Sequence, residues 1–367
     1  LKRAIKKNHS LKEAYKDLGS IYKYQERYTK AITFFTKAIE LDPEYLAAYN
    51  NRGLTWSSMD YYDRALEDIS KAVSLAPKHP AIRLNRASIY ISLGRLDDAE
   101  LDLKRAIALR PSNAKYRLNL GRLYLYKGNI EAARKEFSHS IRLRPDYVWP
   151  YLELAEVFVL KGDLSSASAT LDKVDEIDPR DVNLICWRVR IALRENKMAQ
   201  AERELARLDK IELKNQLPSF FRAFTFEFTA GHHKKALTLA QEALAHPLDD
   251  GSRIGHSLNI VSLTVRSGDL GGWRTYLENL PKSNHSRWNG VLAQYLLGRL
   301  SEHHLMERAK SPQRLNDAYY YIGLRHEIAG NKTLALRMYT KVVSGTFIAN
   351  YEYLFAQAAI KELTPKE

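Results

Sequence analysis

Cysteine is almost missing from this chain: Cys186 is the one thiol in 367 residues. That excludes a disulfide framework and a zinc site built from thiolates. Long apolar runs are missing too. None approaches the roughly 18 residues that a membrane span needs, and no signal-peptide pattern is seen. Two chemistry-bearing patterns are also lacking, the G-x-x-x-x-G-K phosphate loop and the H-E-x-x-H metalloprotease helix. Low complexity is absent over most of the chain, because a 45% hydrophobic content is that of an ordinary globular protein. Acidic residues are the minority charge: 57 Lys and Arg against 43 Asp and Glu leave a formal +14. The excess permits nucleic acid, an anionic surface or an acidic protein as partner, and by itself selects none of them. Leu1 stands first in place of Met, which points to a processed chain or a piece of a longer one.

What is present is a repeat. Pro43, Pro77, Pro111, Pro145 and Pro179 fall at a constant spacing of 34 residues. Ala31, Ala65, Ala99, Ala133, Ala167 and Ala201 keep the same step, as do the small residues Gly19, Gly53, Ala87, Gly121 and Ala155. A fourth phase is aromatic: Tyr22, Trp56, Tyr90, Tyr124 and Phe158. Small residues in mid-helix let two antiparallel helices cross closely, and the aromatics fill the space beside the crossing. Gly94, Gly128 and Gly162 are placed to end first helices in the left-handed conformation. The prolines end second helices, with Asp42 and Asp178 expected to cap the helices that follow. Helical periodicity is read in Leu101, Leu103, Ile107 and Leu109 of the third unit.

These four phases resemble the tetratricopeptide repeat (TPR) family over residues 12–181. The repeats are read as 12–45, 46–79, 80–113, 114–147 and 148–181, with a degenerate sixth at 182–215 that has Leu213 where proline belongs. Residues 1–11 read as the tail of an upstream repeat. From 216 to 367 the helix-pair grammar persists while the period drifts. Pairs are read at 218–245, hinged at Gly231, at 252–280, hinged at Gly268, and at 285–309, hinged at Gly298. Asn316 to Lys341 returns to repeat form, with Tyr319, Gly323, Ala335 and Tyr339 in phase, and 346–363 reads as a terminal cap stopped by Pro365. The resemblance implies an all-α, right-handed superhelical solenoid of about nine or ten helix pairs with a C-terminal capping helix. Over 285–363, Trp288, the Tyr295-Leu296-Leu297-Gly298 run and the Ser301 to Arg308 run resemble the C-terminal part of the NlpI family. Those are bacterial TPR lipoproteins of the cell envelope, which implies a bacterial adaptor facing the periplasm, with the cytoplasm as the alternative.

No catalytic constellation emerges from the residues. Adjacent helical side chains diverge by about 100°, so neither His232 and His233 nor His303 and His304 can grip one ion, and they read as solvated. Cys186, beside Trp187, reads as a buried inert thiol. Asp97 and Asp98, and Asp249 and Asp250, flank helix starts, where they favour the dipole. A non-enzyme without cofactor or metal is expected.

In the TPR family the inward-facing positions are the second, fifth, ninth, twelfth and thirteenth of each repeat. Here they give an apolar stripe with arginines at one end: Leu84, Ile91, Leu118, Arg122, Leu125, Tyr126, Trp149, Leu152, Glu156, Val159, Arg190 and Arg194. Such a stripe fits an amphipathic helix or extended peptide, with Trp149 and Tyr126 as anchors. The alternative is a stripe covered by the chain's own C-terminal helices or by a second copy in a homodimer. The family's carboxylate clamp matches at Lys16 and Asn51 and fails at Ser20, Ala81 and Asn85, which argues against binding of acidic chaperone tails. Basic residues crowd 104–144, but the aromatics there keep core phase, so a solvated basic face is favoured over a nucleic-acid surface. A scaffold for a protein partner is the expected function. A regulatory or substrate-recruiting arm of a larger enzyme and a nucleic-acid-associated adaptor stay open beside it.

Overall fold

The computed structural model describes residues 12–208, 211, 231–244, 250–269, 272–278, 280, 287–346 and 351–364. Among these the chain forms twenty α-helices and no strand, the all-α solenoid expected. The readings made for 1–11, for a helix over 218–230, for Leu213, for Asp249 and for the stop at Pro365 fall outside the described residues. The helices group into two compact units, Leu1–Leu123 and Tyr124–Glu367.

The first unit holds α1 (Lys12–Tyr24), α2 (Tyr28–Leu41), α3 (Leu46–Ser58), α4 (Tyr62–Leu75), α5 (Pro80–Ser92), α6 (Leu96–Leu109) and most of α7 (Ala114–Tyr126). Each pair is closed by one residue in the left-handed region, and that residue keeps the 34-residue step. Gly94 occupies it at φ 72°, while Glu26 and Asp60 hold the same place at 57° and 65°. The expected glycine signal is thus met by acidic residues where the sequence offers none. The crossing of each pair is dense. A methyl on Gly19 would stand 2.5 Å from the buried Phe35 ring, and one on Gly53 would stand 2.7 Å from Ile69 Cγ1. Helix α6 corrects the periodicity expected of it. Leu103 and Ile107 are buried, but Leu101 is 50% and Leu109 39% exposed. At about 100° per residue, Leu101 and Leu103 lie about 200° apart, and the core face runs instead through Ala99, Asp102, Leu103, Ala106 and Ile107.

The second unit continues with α8 (Ile130–Leu143), α9 (Val148–Leu160), α10 (Leu164–Ile177), α11 (Val182–Arg194) and α12 (Met198–Leu208). Gly128, Gly162 and Asn196 take the left-handed position at 73°, 76° and 58°. Asp181 caps α11 by accepting from Leu184 N at 2.9 Å. Asp42 and Asp178 do not cap the helices that follow them. They end α2 and α10, and their carboxylates accept from the amides of Glu44 and Arg180 at 2.9 and 3.1 Å. Each stands four residues before the next helical residue, too far for a capping bond to the second or third amide of that helix.

Further along the second unit lie α13 (His233–Leu244), α14 (Asp250–Arg266), α15 (Arg274–Glu278), α16 (Trp288–Leu296), α17 (Glu302–Arg308), α18 (Pro312–Ile328), α19 (Lys332–Val343) and α20 (Tyr351–Leu363). Gly231, Gly268 and Gly298 carry positive φ at the hinges expected of them. Helices α14, α16, α18, α19 and α20 enclose an apolar core around Tyr295, Tyr320, Tyr339 and Phe355. The side chain of Arg266 is buried in it, paired with Glu327 and, at 2.8 Å, with Glu362 of α20.

Candidate partner-binding face

The inward positions of the first unit are quiet. Leu84 and Leu118 are buried, Ile91 and Arg122 half-buried, and Ser88 returns its hydroxyl to Leu84 O at 3.1 Å. Asn85 Nδ2 donates to Asn50 Oδ1 at 2.9 Å and so ties α5 to α3. The two residues that matched a carboxylate clamp are engaged with neighbours: Lys16 Nζ with Asp17, and Asn51 Oδ1 with Asn50 Nδ2 at 3.5 Å.

Behind this face lies a polar feature that the sequence reading did not single out. Arg52 makes two bonds to Asp68, Nε to Oδ2 at 2.8 Å and Nη2 to Oδ1 at 2.7 Å. Arg86 repeats the arrangement on Asp102 at 2.6 and 2.9 Å, and Arg83 adds a third contact to that carboxylate at 3.0 Å. In the second unit Arg188 meets Glu204 at 3.4 Å in the same phase. All three pairs are separated by 16 residues, so two further phased series, one basic and one acidic, carried the signal.

In the second unit the inward face is largely occupied. Leu152 and Val159 of α9 are each 4% exposed and share an apolar cluster with Trp187 and Ile191 of α11. The lid of that cluster is distant in sequence: Tyr353, at the start of α20, is 9% exposed and packs in it, and Val343 packs against it from the end of α19. Between them Thr346 donates its hydroxyl to Leu125 O, in the last turn of α7, at 3.1 Å. Leu125 itself is buried and Tyr126 half-buried. Trp149 remains 45% exposed, one turn before the buried Leu152. Glu156 and Arg190 are half-buried, and Arg194 is exposed, with its Nη1 3.5 Å from Val159 O. The guanidinium of Arg190 lies 5.3 Å from the Trp187 ring centroid. The structure therefore gathers Leu152, Glu156, Val159, Arg190 and Arg194 on two adjacent first helices. It adds Trp187, Ile191, Thr346 and Tyr353, which the sequence reading did not include. Trp187 was legible as the neighbour of an inward residue, whereas Thr346 and Tyr353 had no local signal.

The groups weighed for chemistry are held structurally. Cys186 is half-buried, and desolvation pushes its thiol up to about 12. His303 leans toward Glu307 at 3.4 Å while His304 bonds Ser301 Oγ at 2.7 Å, so the two imidazoles serve different partners. His233 is half-buried rather than solvated, because its Nδ1 sits 3.1 Å from Arg266 O. Asp317 is buried, accepts from Trp288 Nε1 at 2.8 Å, and has its carboxyl pushed well up by desolvation and by nearby Glu352. Glu352 is shifted in the same direction by burial and lies 3.4 Å from Tyr321 OH. Among the described residues no three His, Cys, Asp or Glu side chains gather to hold a metal ion, and no helix is long and apolar enough to cross a membrane.

Residues 13–45, 60–101, 87–125 and 114–147 each match a tetratricopeptide-repeat family model. No curated protein matches the sequence. Among solved structures, a tetratricopeptide repeat protein from Parabacteroides merdae is 18% identical, with a TM-score of 0.56 over 71% of this chain and 100% of that one. PilW, described as a type IV pilus biogenesis factor, is 20% identical over 55% of this chain and 93% of its own, with a TM-score of 0.49. Pseudomonas aeruginosa PilF is 20% identical over 54% and 90%, with a TM-score of 0.47. At 18% identity the likeness to the Parabacteroides merdae protein bears on fold alone.

Proposed function

From the premise that the chain carries tetratricopeptide repeats, we propose that it is a non-catalytic scaffold. In this reading its second unit takes a helix or extended segment of a protein partner along α9 and α11. The observation that carries the reading is Trp149: a 45% exposed tryptophan on the inward line of α9, one turn from a residue exposed by only 4%. Large rings that stay partly exposed beside an apolar cluster are the usual anchors of a binding face. Glu156, Arg190 and Arg194 supply a polar rim of both signs, which would fix the register of a bound segment.

The finer reading, a bacterial adaptor that recruits other proteins and pairs with a second copy of itself, rests on the resemblance of 285–363 to NlpI. The test of the coarser reading is capture of partners from a nuclease-treated extract by wild type and by Trp149→Glu, followed by reconstitution with the purified partner. Trp149 is exposed, so the variant should fold, and circular dichroism checks that it does. A partner held by wild type and lost by Trp149→Glu supports the reading; an identical set retained by both removes Trp149 and this face from it.

A further inference from the structure

We infer that the exposed face of α6, with the cations around it, is a docking surface of the first unit for an anionic lipid bilayer. The inference concerns another unit and another face than the partner-binding reading and stands independently of it. Its basis is that exposed leucines and uncommitted cations coincide on one stripe.

The leucines come first. Leu101 is 50% and Leu109 39% exposed, although the rest of the apolar side of α6 is buried through Ala99, Leu103, Ala106 and Ile107. At about 100° per residue, Leu101, Arg105 and Leu109 stand at about 0°, 40° and 80° around the helix, and Ala108 and Lys104 at about −20° and −60°. All five are exposed. The helix therefore has two apolar sides, one spent on the core and a narrower one, set with cations, turned to solvent. The two leucines lie about 12 Å apart along the axis, so both can meet one flat surface.

The cations follow. Neither residues 69–96 nor residues 103–123 contain an Asp or Glu. Part of the positive charge in these stretches is already committed: Arg83 and Arg86 to Asp102, Arg95 to Asp98, and Lys104 to Glu100 at 2.7 Å. Lys71, Lys78, Arg105, Arg110 and Lys115 are exposed and have no ion pair among the described residues. Lys71 holds on α4 the position that Arg105 holds on α6, one 34-residue step earlier, and Arg110 directly follows the last residue of α6. On α4 the place of Leu101 is taken by the exposed Glu67, and on α2 that of Ala108 by the exposed Glu40. The surface is thus centred on α6 and fades toward the first repeat.

The leucines decide between the anionic partners that such charge allows. A bilayer takes an exposed leucine into its acyl boundary while its headgroups meet the cations, the pairing used by basic amphipathic helices that lie on membranes. A phosphodiester chain gains nothing from a leucine and needs rings on which bases stack. Helix α6 contains no aromatic residue.

The test is co-sedimentation of the full chain with vesicles of phosphatidylcholine alone and of equal parts phosphatidylcholine and phosphatidylglycerol, beside titration of a single-stranded oligonucleotide. Wild type is expected to bind the mixed vesicles, to ignore the neutral ones, and to weaken as salt rises. Each basic side chain at an anionic bilayer contributes about fivefold, so Lys71→Gln/Arg105→Gln should weaken vesicle binding about 25-fold. Leu101→Ser/Leu109→Ser should weaken it by about tenfold or more, with oligonucleotide binding unchanged. Equal binding to both kinds of vesicle, binding to neither, or wild-type vesicle binding by either variant overturns the proposal. Oligonucleotide binding tighter than vesicle binding, lost with the cations and indifferent to the leucines, overturns it in favour of a nucleic-acid surface. All four positions are exposed, and circular dichroism checks that the variants fold. Should the leucine double variant not fold, Leu101→Ser carries the apolar arm: a loss of about threefold is then expected, and none overturns the proposal.

Discussion

Gly323 and Tyr339 stand as Gly19 and Phe35 do: a methyl placed on Gly323 would lie 2.8 Å from Tyr339 Cε1, as one on Gly19 would lie 2.5 Å from Phe35 Cε1. Both pairs are 16 residues apart and both rings are fully buried. Where the second helix offers Leu103 or Leu171, the first helix carries Ala87 or Ala155, and all four are buried. Glycine faces a ring in these two pairs and Ile69 at Gly53, while alanine faces leucine, so the smaller residue of the crossing stands against the larger partner.

That relation makes a double-mutant prediction. Gly19→Ala in wild type overpacks a rigid ring and should cost about 1–3 kcal/mol. Added to Phe35→Leu, the same change recreates the Ala87 and Leu103 pair and should cost less than about 0.5 kcal/mol, a coupling a thermodynamic cycle isolates. Urea unfolding of the four proteins measures it, and additive costs would show that the two sites do not share one volume.

Asp102 serves two guanidiniums, those of Arg86 and Arg83, with its own side chain 2% exposed. Removing it strands both cations, so Asp102→Ala should destabilise by about 3–5 kcal/mol. Arg86→Ala leaves Arg83 on the carboxylate and should cost clearly less. The exposed pair of Lys173 and Glu176 is the contrast: Glu176→Ala should change stability by about 1 kcal/mol at most. Denaturation midpoints of the three variants test the ranking, and a Glu176→Ala loss as large as that of Asp102→Ala would contradict it.

How much of this was legible follows from where the period holds. Through α12 each residue's environment recurs every 34 positions, so a single sequence acts as its own alignment; the glycines, alanines and aromatics could be placed from it. The Arg52 and Asp68 relation returns at Arg86 and Asp102 and at Arg188 and Glu204 but is interrupted at Leu120 and Leu154, and it went unread because charges were weighed as surface features. Leu101 was misplaced because an apolar residue was counted without its angle. The occupied face was not legible as a contact. Thr346 meets Leu125 across 221 positions, beyond the regular array, and no local pattern encodes a pairing at that separation. Self-coverage by the C-terminal helices could be named as a possibility, but Tyr353 could not be singled out.

Cys186 offers a direct test of its surroundings. Desolvation pushes its thiol up to about 12, and Arg190 only partly opposes this. Because the thiolate is the reactive form, alkylation by iodoacetamide at neutral pH should be slower than for a free thiol by about a hundredfold or more. The rate should keep rising with pH beyond the point where an ordinary cysteine levels off. A rate profile that levels off near the ordinary value, about 8.5, would show the thiol to be solvated.

Asp317 and Glu352 link α18 to the first turn of α20, and both carboxyls are raised, Asp317 by burial first and by Glu352 second. Trp288 Nε1 donates to Asp317, and Arg314 opposes its shift; Tyr321 reaches Glu352. Between the ordinary carboxyl value and the raised one, the unfolded chain has lost a proton that the folded chain keeps. The unfolded state then binds fewer protons, so this pair's contribution to stability is fully present below the ordinary value and falls as pH rises through the raised one. Asp317→Asn removes the titration while its amide oxygen can still accept from Trp288. The variant should match wild type near the ordinary carboxyl value of about 4. It should gain on wild type as pH rises, by about 2–4 °C in melting temperature for each kcal/mol of charge burial relieved. Melting curves of both proteins across the pH range check the sign, and a gap that stays constant with pH would mean that Asp317 is already ionised in the folded chain.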